Sequence, residues 1–240
     1  YVDLIVNPKA KDVFLGRSKI ISSMREFLVK NGFIEVETPI LQAIYGGTNA
    51  RPFKSYLNNL KMDVYMRISN ELYLKRLITG GYEKIFEFSV DFRNEGIDGT
   101  HNPEFLQMET MWAYADYRDN MKFCEDMIRF IAKQVNGEYK MSYGKNIIDF
   151  QKPFIKLSMI GALKKYSKID VNNLNLAKLR ELLKKHKIEH SGDISWGWAV
   201  AYLFEELVEN KLIQPTIIYD YPAETCPLAK IKEKDDKFVE

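Results

Sequence analysis

Apolar positions recur at helical spacing from Val13 and Phe14 through Ile20, Ile21, Met24, Phe27 and Leu28. Asn7 and Pro8 precede them as cap and first-turn residue, and Asn31-Gly32 follows as a stop. The pattern predicts one long amphipathic helix. Phe33 to Glu37 then alternates apolar and acidic residues and stops at Pro39, which reads as a short strand. Gly46-Gly47 opens a loop. Val64 to Ser69 reads as a strand, and Asn70 to Thr79 as a helix capped by Asn70 and ended by Gly80-Gly81.

The middle of the chain is the most informative. From Ile85 to Arg93, Phe86, Phe88, Val90 and Phe92 share one face of a strand, and Glu87, Ser89, Asp91 and Arg93 share the other. The first face is expected to be core and the second polar. After a loop with Gly96 and Gly99, Phe105 to Ala113 repeats the arrangement, with Glu109 on the side of Phe105, Gln107 and Met111. Antiparallel pairing of the two strands would bring Arg93 and Glu109 to a common surface. Asp119 to Val135 is a second amphipathic helix, and Tyr139 to Phe150 a hairpin across Tyr143-Gly144-Lys145-Asn146. Residues 158–212 turn helical and lysine-rich, chiefly over Leu174 to Lys187 and Trp196 to Asn210, and Thr216 to Tyr221 is a last strand. Antiparallel strands with segregated helices predict an α+β fold, an antiparallel sheet flanked by helices with a helical insertion at 158–212.

Composition narrows the classes. The 240 residues are 46% hydrophobic and 28% charged, which excludes a disordered chain. The balance of 35 basic against 33 acidic residues leaves +2, so no overall positive field draws the chain to nucleic acid. Cys124 and Cys226 show no partner pattern, which points to a reducing, cytoplasmic compartment. No run reaches ~18 apolar residues and no export signal opens the chain, so no membrane association is expected.

Arg93-Asn94-Glu95-Gly96 followed by His101-Asn102-Pro103-Glu104-Phe105 is dense in functional side chains. A guanidinium at a strand end grips phosphate bidentately, and an aromatic on the return strand stacks on a base. The alternative is that Arg93 pairs with Glu95 or Glu87 while Phe105 is core. His186 and His190 stand four residues apart, but no second cluster completes a metal site. Glu71 opens a helix, where it complements the dipole. Glu109 is different: a carboxylate in mid-strand beside Met108, Thr110, Met111 and Trp112 is costly to bury unless it meets a cation.

Six segments together resemble the catalytic domain of class II lysyl-tRNA synthetases. They are Gly32-Phe33-Ile34-Glu35-Val36-Glu37-Thr38-Pro39, Gly46-Gly47-Thr48-Asn49-Ala50-Arg51-Pro52-Phe53, Glu71-Leu72-Tyr73-Leu74-Lys75-Arg76-Leu77, Phe92-Arg93-Asn94-Glu95-Gly96, His101-Asn102-Pro103-Glu104-Phe105 and Ala113-Tyr114-Ala115-Asp116-Tyr117. The resemblance runs from Tyr1 through Lys230. It implies ATP-dependent activation of L-lysine and transfer to tRNA(Lys), with Mg²⁺ as cofactor and a homodimer formed through residues 11–39. Arg93 would hold the ATP α-phosphate, Glu95, His101 and Asn102 would contact the nucleotide, and Phe105 would stack on adenine. Glu71 would receive the α-ammonium of lysine and Glu109 its ε-ammonium, beneath a loop at Gly47.

Several features depart from the family pattern. The third motif and the acidic Mg²⁺ ligands before it are expected beyond Glu240, and an anticodon-binding barrel before Tyr1, so residues 1–240 read as part of a catalytic domain with little activity alone. Met111 stands where the family usually has a tyrosine near the ε-ammonium, and Cys226 replaces a serine. Two other readings are a ligase that attaches lysine to a protein and a non-catalytic synthetase-like binding protein.

Overall fold

A computed structural model describes residues 1–190 and 192–240, which form two compact units, Tyr1–Ala115 and Asp116–Glu240. The first begins with a short helix α1 (Val2–Val6) and the long α2 (Pro8–Lys30). Pro8 opens α2 as expected, because its missing N–H falls among first-turn donors without a helical partner. Asn7 caps by position only: its side chain accepts nothing from the helix, and its amide points back to Asp3 Oδ1 at 3.5 Å. The apolar stripe of α2 is buried only near its end, at Phe27 and Leu28, while Val13, Phe14 and Ile20 are exposed.

The strand expected at Phe33–Glu37 shrinks to β1 (Ile34–Glu35), and its pairing is parallel, Ile34 opposite Ile85. Pro39, which lacks a ladder donor, lies just beyond. The short strands β2 (Leu41–Gln42) and β3 (Lys54–Leu57) flank β4 (Met62–Met66), both antiparallel to it. β4 is shorter than the Val64–Ser69 run, and residues 67–70 leave the sheet before α3 (Glu71–Thr79). Asn70 stands at the α3 cap position in helical rather than extended backbone, and its side chain turns toward Glu87, to which Nδ2 donates, so its Oδ1 makes no cap bond.

The expected pair of long strands is present. β5 (Lys84–Phe92) and β6 (Glu104–Trp112) run antiparallel with Glu87 opposite Glu109, Ser89 opposite Gln107 and Asp91 opposite Phe105. Residues directly opposite share a face, so Glu87, Ser89 and Asp91 lie on the face of Glu109, Gln107 and Phe105. The other face meets α2: the Arg25 guanidinium lies 4.7 Å from the Phe88 ring centroid while its Nε donates to Glu35 at 2.8 Å.

The second unit opens with α4 (Tyr117–Asn136), whose start is fixed by a reciprocal capping box between Asp116 and Asp119 and whose end is a left-handed Gly137. The hairpin β7 (Lys140–Tyr143) and β8 (Asn146–Asp149) follows as predicted. β9 (Ile155–Ser158) leads into α5 (Met159–Ser167), α6 (Leu176–Lys185) and α7 (Trp196–Leu207), and β10 (Thr216–Tyr219) returns parallel to β9. The expected helices of 158–212 thus carry the core of this unit, with Leu163, Val171, Leu179, Ala199, Val200 and Leu203 fully buried.

Candidate functional site

The alternation along β5 sorts residues into two sides as expected, and Phe86 on the apolar side is fully buried, but the polar side is buried as well. Glu87 is 3% exposed and Ser89 and Asp91 are 0%, whereas Phe88, Val90 and Phe92 remain partly open. The reason is the segment that leaves β4. Arg67, itself 4% exposed, crosses the polar face, donating from Nη1 to Glu87 Oε1 at 2.7 Å and from Nε to the Val90 carbonyl at 2.9 Å. That Nε also lies 3.2 Å from Asp91 Oδ1. Glu87 receives three further donors: the Thr38 amide at 3.0 Å, the Thr38 hydroxyl at 2.8 Å and Asn70 Nδ2 at 3.1 Å. Glu87 therefore pairs with Arg67, and the sequence-level pairing of Glu87 with Arg93 is not formed.

The rest of this face is short of donors. Among the described residues, Asn70 Oδ1, Ser89 Oγ and both carboxylate oxygens of Asp91 are buried without a hydrogen-bond partner. Burial pushes the Asp91 carboxyl upward, with the Ser89 hydroxyl and then the charges of Arg67 and Arg93 acting against it. Glu109, partly buried on the same face, accepts from Gln107 Nε2 at 3.0 Å. Its pKa is pushed up to about 7, first by burial and then by the negative charge of Glu71. Asp91 adds to the rise, and Lys75 opposes it. Glu71 opens α3 and holds Lys75 Nζ at 2.5 Å. Met111 stands opposite Ile85, hence on the Glu109 side of β6.

Gly47 closes the loop of 46–47 onto this corner. Its φ is +96°, and a Cβ there would come within 2.9 Å of Ser69 Oγ and 3.5 Å of Glu71 Cβ. Only glycine lets the backbone approach so closely in that conformation.

Arg93 follows the end of β5. Its Nε points to the Ile68 carbonyl at 3.4 Å, and its guanidinium carbon lies 5.1 Å from the Phe105 ring centroid. Arg93, Glu95, Gly96, Thr100, His101, Asn102 and Phe105 line one cavity of about 300 Å³. Five residues singled out from sequence thus surround one space. The connecting loop is organised by Asp98, which accepts from the Thr100 amide at 2.7 Å, the His101 amide at 2.8 Å and the Thr100 hydroxyl at 2.9 Å, and lies 2.8 Å from His101 Nδ1. These bonds, led by that of the Thr100 amide, hold its carboxyl well below the usual carboxylate range. Asn102 Nδ2 donates to the Glu104 carbonyl at 2.6 Å.

Elsewhere, His186 ends α6 and His190 stacks near Tyr202 at 6.4 Å. Among the described residues no group of three or more His, Cys, Asp or Glu side chains is placed to hold a metal ion. None of the described helices is long and apolar enough to cross a membrane. Sequence reasoning did not single out Arg67, Asn70, Ser89, Asp91 or Asp98 for the site. The available signal was two carboxylates, Glu87 and Asp91, on one strand face beside an arginine set between Met66 and Ile68.

The family model of class II tRNA synthetases (D, K and N) matches residues 1–240. Lysine-tRNA ligase 2 of Methanosarcina acetivorans is 48% identical over 241 residues, with 100% of this chain and 47% of that protein covered. A lysine-tRNA ligase of Bacillus cereus is 46% identical over 241 residues, and one of Clostridium botulinum 48% identical over 244, each match covering 100% of this chain and 48% of the relative. The chain spans about half the length of these curated relatives. With the family model matched from the first residue to the last, the chain belongs to the class II tRNA synthetases of the D, K and N group.

Proposed function

We propose that these residues form the amino acid activation site of a lysyl-tRNA synthetase, which joins L-lysine to ATP as lysyl-adenylate and then charges tRNA(Lys). The observation that carries this reading is Glu109: a partly buried carboxylate with a pKa of about 7, among other carboxylates and on the strand pair that leads to Arg93. A ligand with a side-chain ammonium relieves that strain, and one without it leaves the carboxylate unpaired.

In this reading Arg93 grips the α-phosphate, and Phe105, Glu95, His101 and Asn102 hold the nucleotide in the cavity they line. Glu109 takes the ε-ammonium beside Met111, Glu71 takes the α-ammonium, and Gly47 lets the loop lie against the amino acid. The lysine carboxylate attacks the α-phosphorus and pyrophosphate leaves. The nucleophile is already ionised, so no side-chain base is required, and the rate rests on alignment and on the positive charge of Arg93. Magnesium, when bound, neutralises phosphate charge. The described residues supply no cluster for it.

Residues 1–240 are read as part of one catalytic domain with 158–212 as a helical insertion, since the family match is continuous across both units. Exposed Val13, Phe14 and Ile20 on α2 support a homodimer through residues 11–39. Two free cysteines support a cytoplasmic setting.

The test is calorimetric titration of lysine, ornithine and arginine with a non-hydrolysable ATP analogue present. Lysine is expected to bind best. Glu109→Gln should weaken lysine at least about tenfold and leave the ATP analogue unchanged, while Arg93→Ala should chiefly weaken the analogue. Equal losses of both ligands in the Glu109 variant would make it a structural carboxylate.

A further inference from the structure

Charge along the helical insertion is segregated. Residues 161–187 hold eight lysines and arginines against two acidic residues, whereas 188–210 hold five acidic residues and no lysine or arginine. Folding keeps the two sets largely on different sides. α5 and α6 both pack against α7, which turns Ala199, Val200, Leu203 and Phe204 inward and leaves Trp198, Glu205 and Glu206 exposed away from them. α6 buries Leu179 and Leu183 in the same core, so Lys178 and Lys185, about 10 Å apart along the helix axis, share its exposed face. Of the eight basic residues, Lys164 pairs with Asp170 and Arg180 with Asp193. Lys165, Lys168, Lys178, Lys184, Lys185 and Lys187 are exposed and meet no carboxylate among the described residues, so internal ion pairing does not explain them.

Two of these lysines stand where glycine fits more easily. Lys168 caps the end of α5 at φ +65° and Lys187 follows α6 at φ +57°, left-handed conformations that a Cβ disfavours. At α6 the Lys187 and Ile188 amides donate back to the Lys184 and Leu183 carbonyls at 3.1 and 3.0 Å, a helix ending in which glycine is usual. The helix dipole favours cations at these ends. It does not favour Lys178, which lies in the first turn of α6, where the dipole repels a cation. Neither backbone preference nor the dipole therefore accounts for the whole set, and what its members share is an unpaired charge facing solvent.

Chemistry selects the partner. A membrane surface needs apolar side chains beside the lysines, and the leucines of α6 are turned to the core. Lysines spread as separate point charges, without an arginine fork, match a repeating anion such as the phosphodiester backbone. We propose that the exposed faces of α5 and α6 form a surface that holds the sugar-phosphate backbone of RNA without reading its sequence, a role that rests on the reading of the chain as part of an enzyme that charges tRNA. The acidic residues of α7 repel the same backbone, so the insertion approaches RNA from one side only. The near-neutral total of +2 conceals this local field.

The test is fluorescence anisotropy of a transcribed tRNA, and of an RNA hairpin carrying its acceptor arm alone, titrated with the chain between about 50 and 200 mM KCl. Combining Lys184→Ala, Lys185→Ala and Lys187→Ala is expected to weaken RNA binding about 10- to 30-fold at the lower salt and to reduce the slope of log affinity against log salt by about 2. A control that removes three exposed lysines elsewhere in the second unit, Lys145→Ala, Lys152→Ala and Lys234→Ala, should change it less than about twofold. Lys187→Gly alone should raise the melting temperature, read by circular dichroism, while weakening RNA, an opposition that a purely structural lysine does not give. Equal losses in the two triple variants, no loss in the first, or a wild-type chain that binds no RNA would overturn the proposal. So would vesicles of phosphatidylcholine and phosphatidylserine, or polyglutamate, held through these lysines as tightly as RNA. A chain that binds RNA through them but neither lysine nor the ATP analogue would instead refute the parent reading and leave this surface standing.

Discussion

Arg67→Met is the most informative single change to the frame beneath the site. The substitution keeps a long apolar stem but removes the cation that lies 2.7 Å from Glu87 and 3.2 Å from Asp91, all three side chains being less than 5% exposed. Breaking a buried pair by removing one partner costs about 3–5 kcal/mol because a charge stays behind uncompensated, and here one cation serves two carboxylates. Against a total stability of about 5–15 kcal/mol, that is enough to unfold much of the first unit. The assay is urea denaturation followed by hydrogen-exchange mass spectrometry, which reads β5 and β6 separately from α5–α7. The expected loss is about 3 kcal/mol or more in the first unit at pH 8, with the second unit unmoved. The loss should shrink at pH 5. Burial already raises the Asp91 carboxyl above its unfolded value, and without Arg67 it rises further. Its ionised, costly form is therefore fully present above that raised value and is relieved as pH falls through it. A loss under about 1 kcal/mol, the scale of an exposed ion pair, or one that does not vary between pH 5 and pH 8, would refute the argument that Arg67 neutralises this face.

Glu109 gives a second pH signature, in which stability again falls as pH rises but ligand affinity rises. Its folded pKa of about 7 exceeds the 4.5 of an unperturbed carboxyl, so its contribution to stability is full below about pH 4.5 and is lost as pH rises toward 7, whereas lysine binding in the proposed role needs the ionised form. Lysine affinity measured by calorimetry should fall about tenfold from pH 8 to pH 6, and Glu109→Gln should flatten the profile; an unchanged profile in that variant would remove Glu109 from ammonium binding. Asp116→Ala removes the side-chain acceptor of the Arg118 and Asp119 amides at the start of α4 and should cost about 1 kcal/mol in thermal unfolding of the second unit, with no change meaning that the cap contributes nothing.

What the sequence made legible follows from what periodicity encodes. α4 and the long strands β5 and β6 were readable because their apolar residues keep a regular period and their ends carry turn or cap residues. β2 and β3 were not, since two and four residues are too few to display an alternation. The error over β5 is instructive: a period of two tells which side chains share a face but not which face is covered, and the cover came from Thr38, Arg67 and Asn70, remote in the chain. Arg93, His101, Asn102 and Phe105 were recognisable because a strand end and a return strand bracket them. Asp91 and Ser89 looked like ordinary outward-facing positions. Asn70 occupied the cap position expected for it, but its side chain turned to Glu87, and the Ser69 hydroxyl accepts from the Glu71 amide instead.

The bonds that converge on Glu87 come from partners 49, 20 and 17 positions away along the chain. Each contact closes a loop whose entropic cost is only offset once the others form. The network around Glu87 is therefore expected to close as one cooperative step late in the folding of the first unit. On the proposed reading of the site, a compound that binds only the closed network is expected to draw newly made chains toward the folded state by mass action, as a pharmacological chaperone.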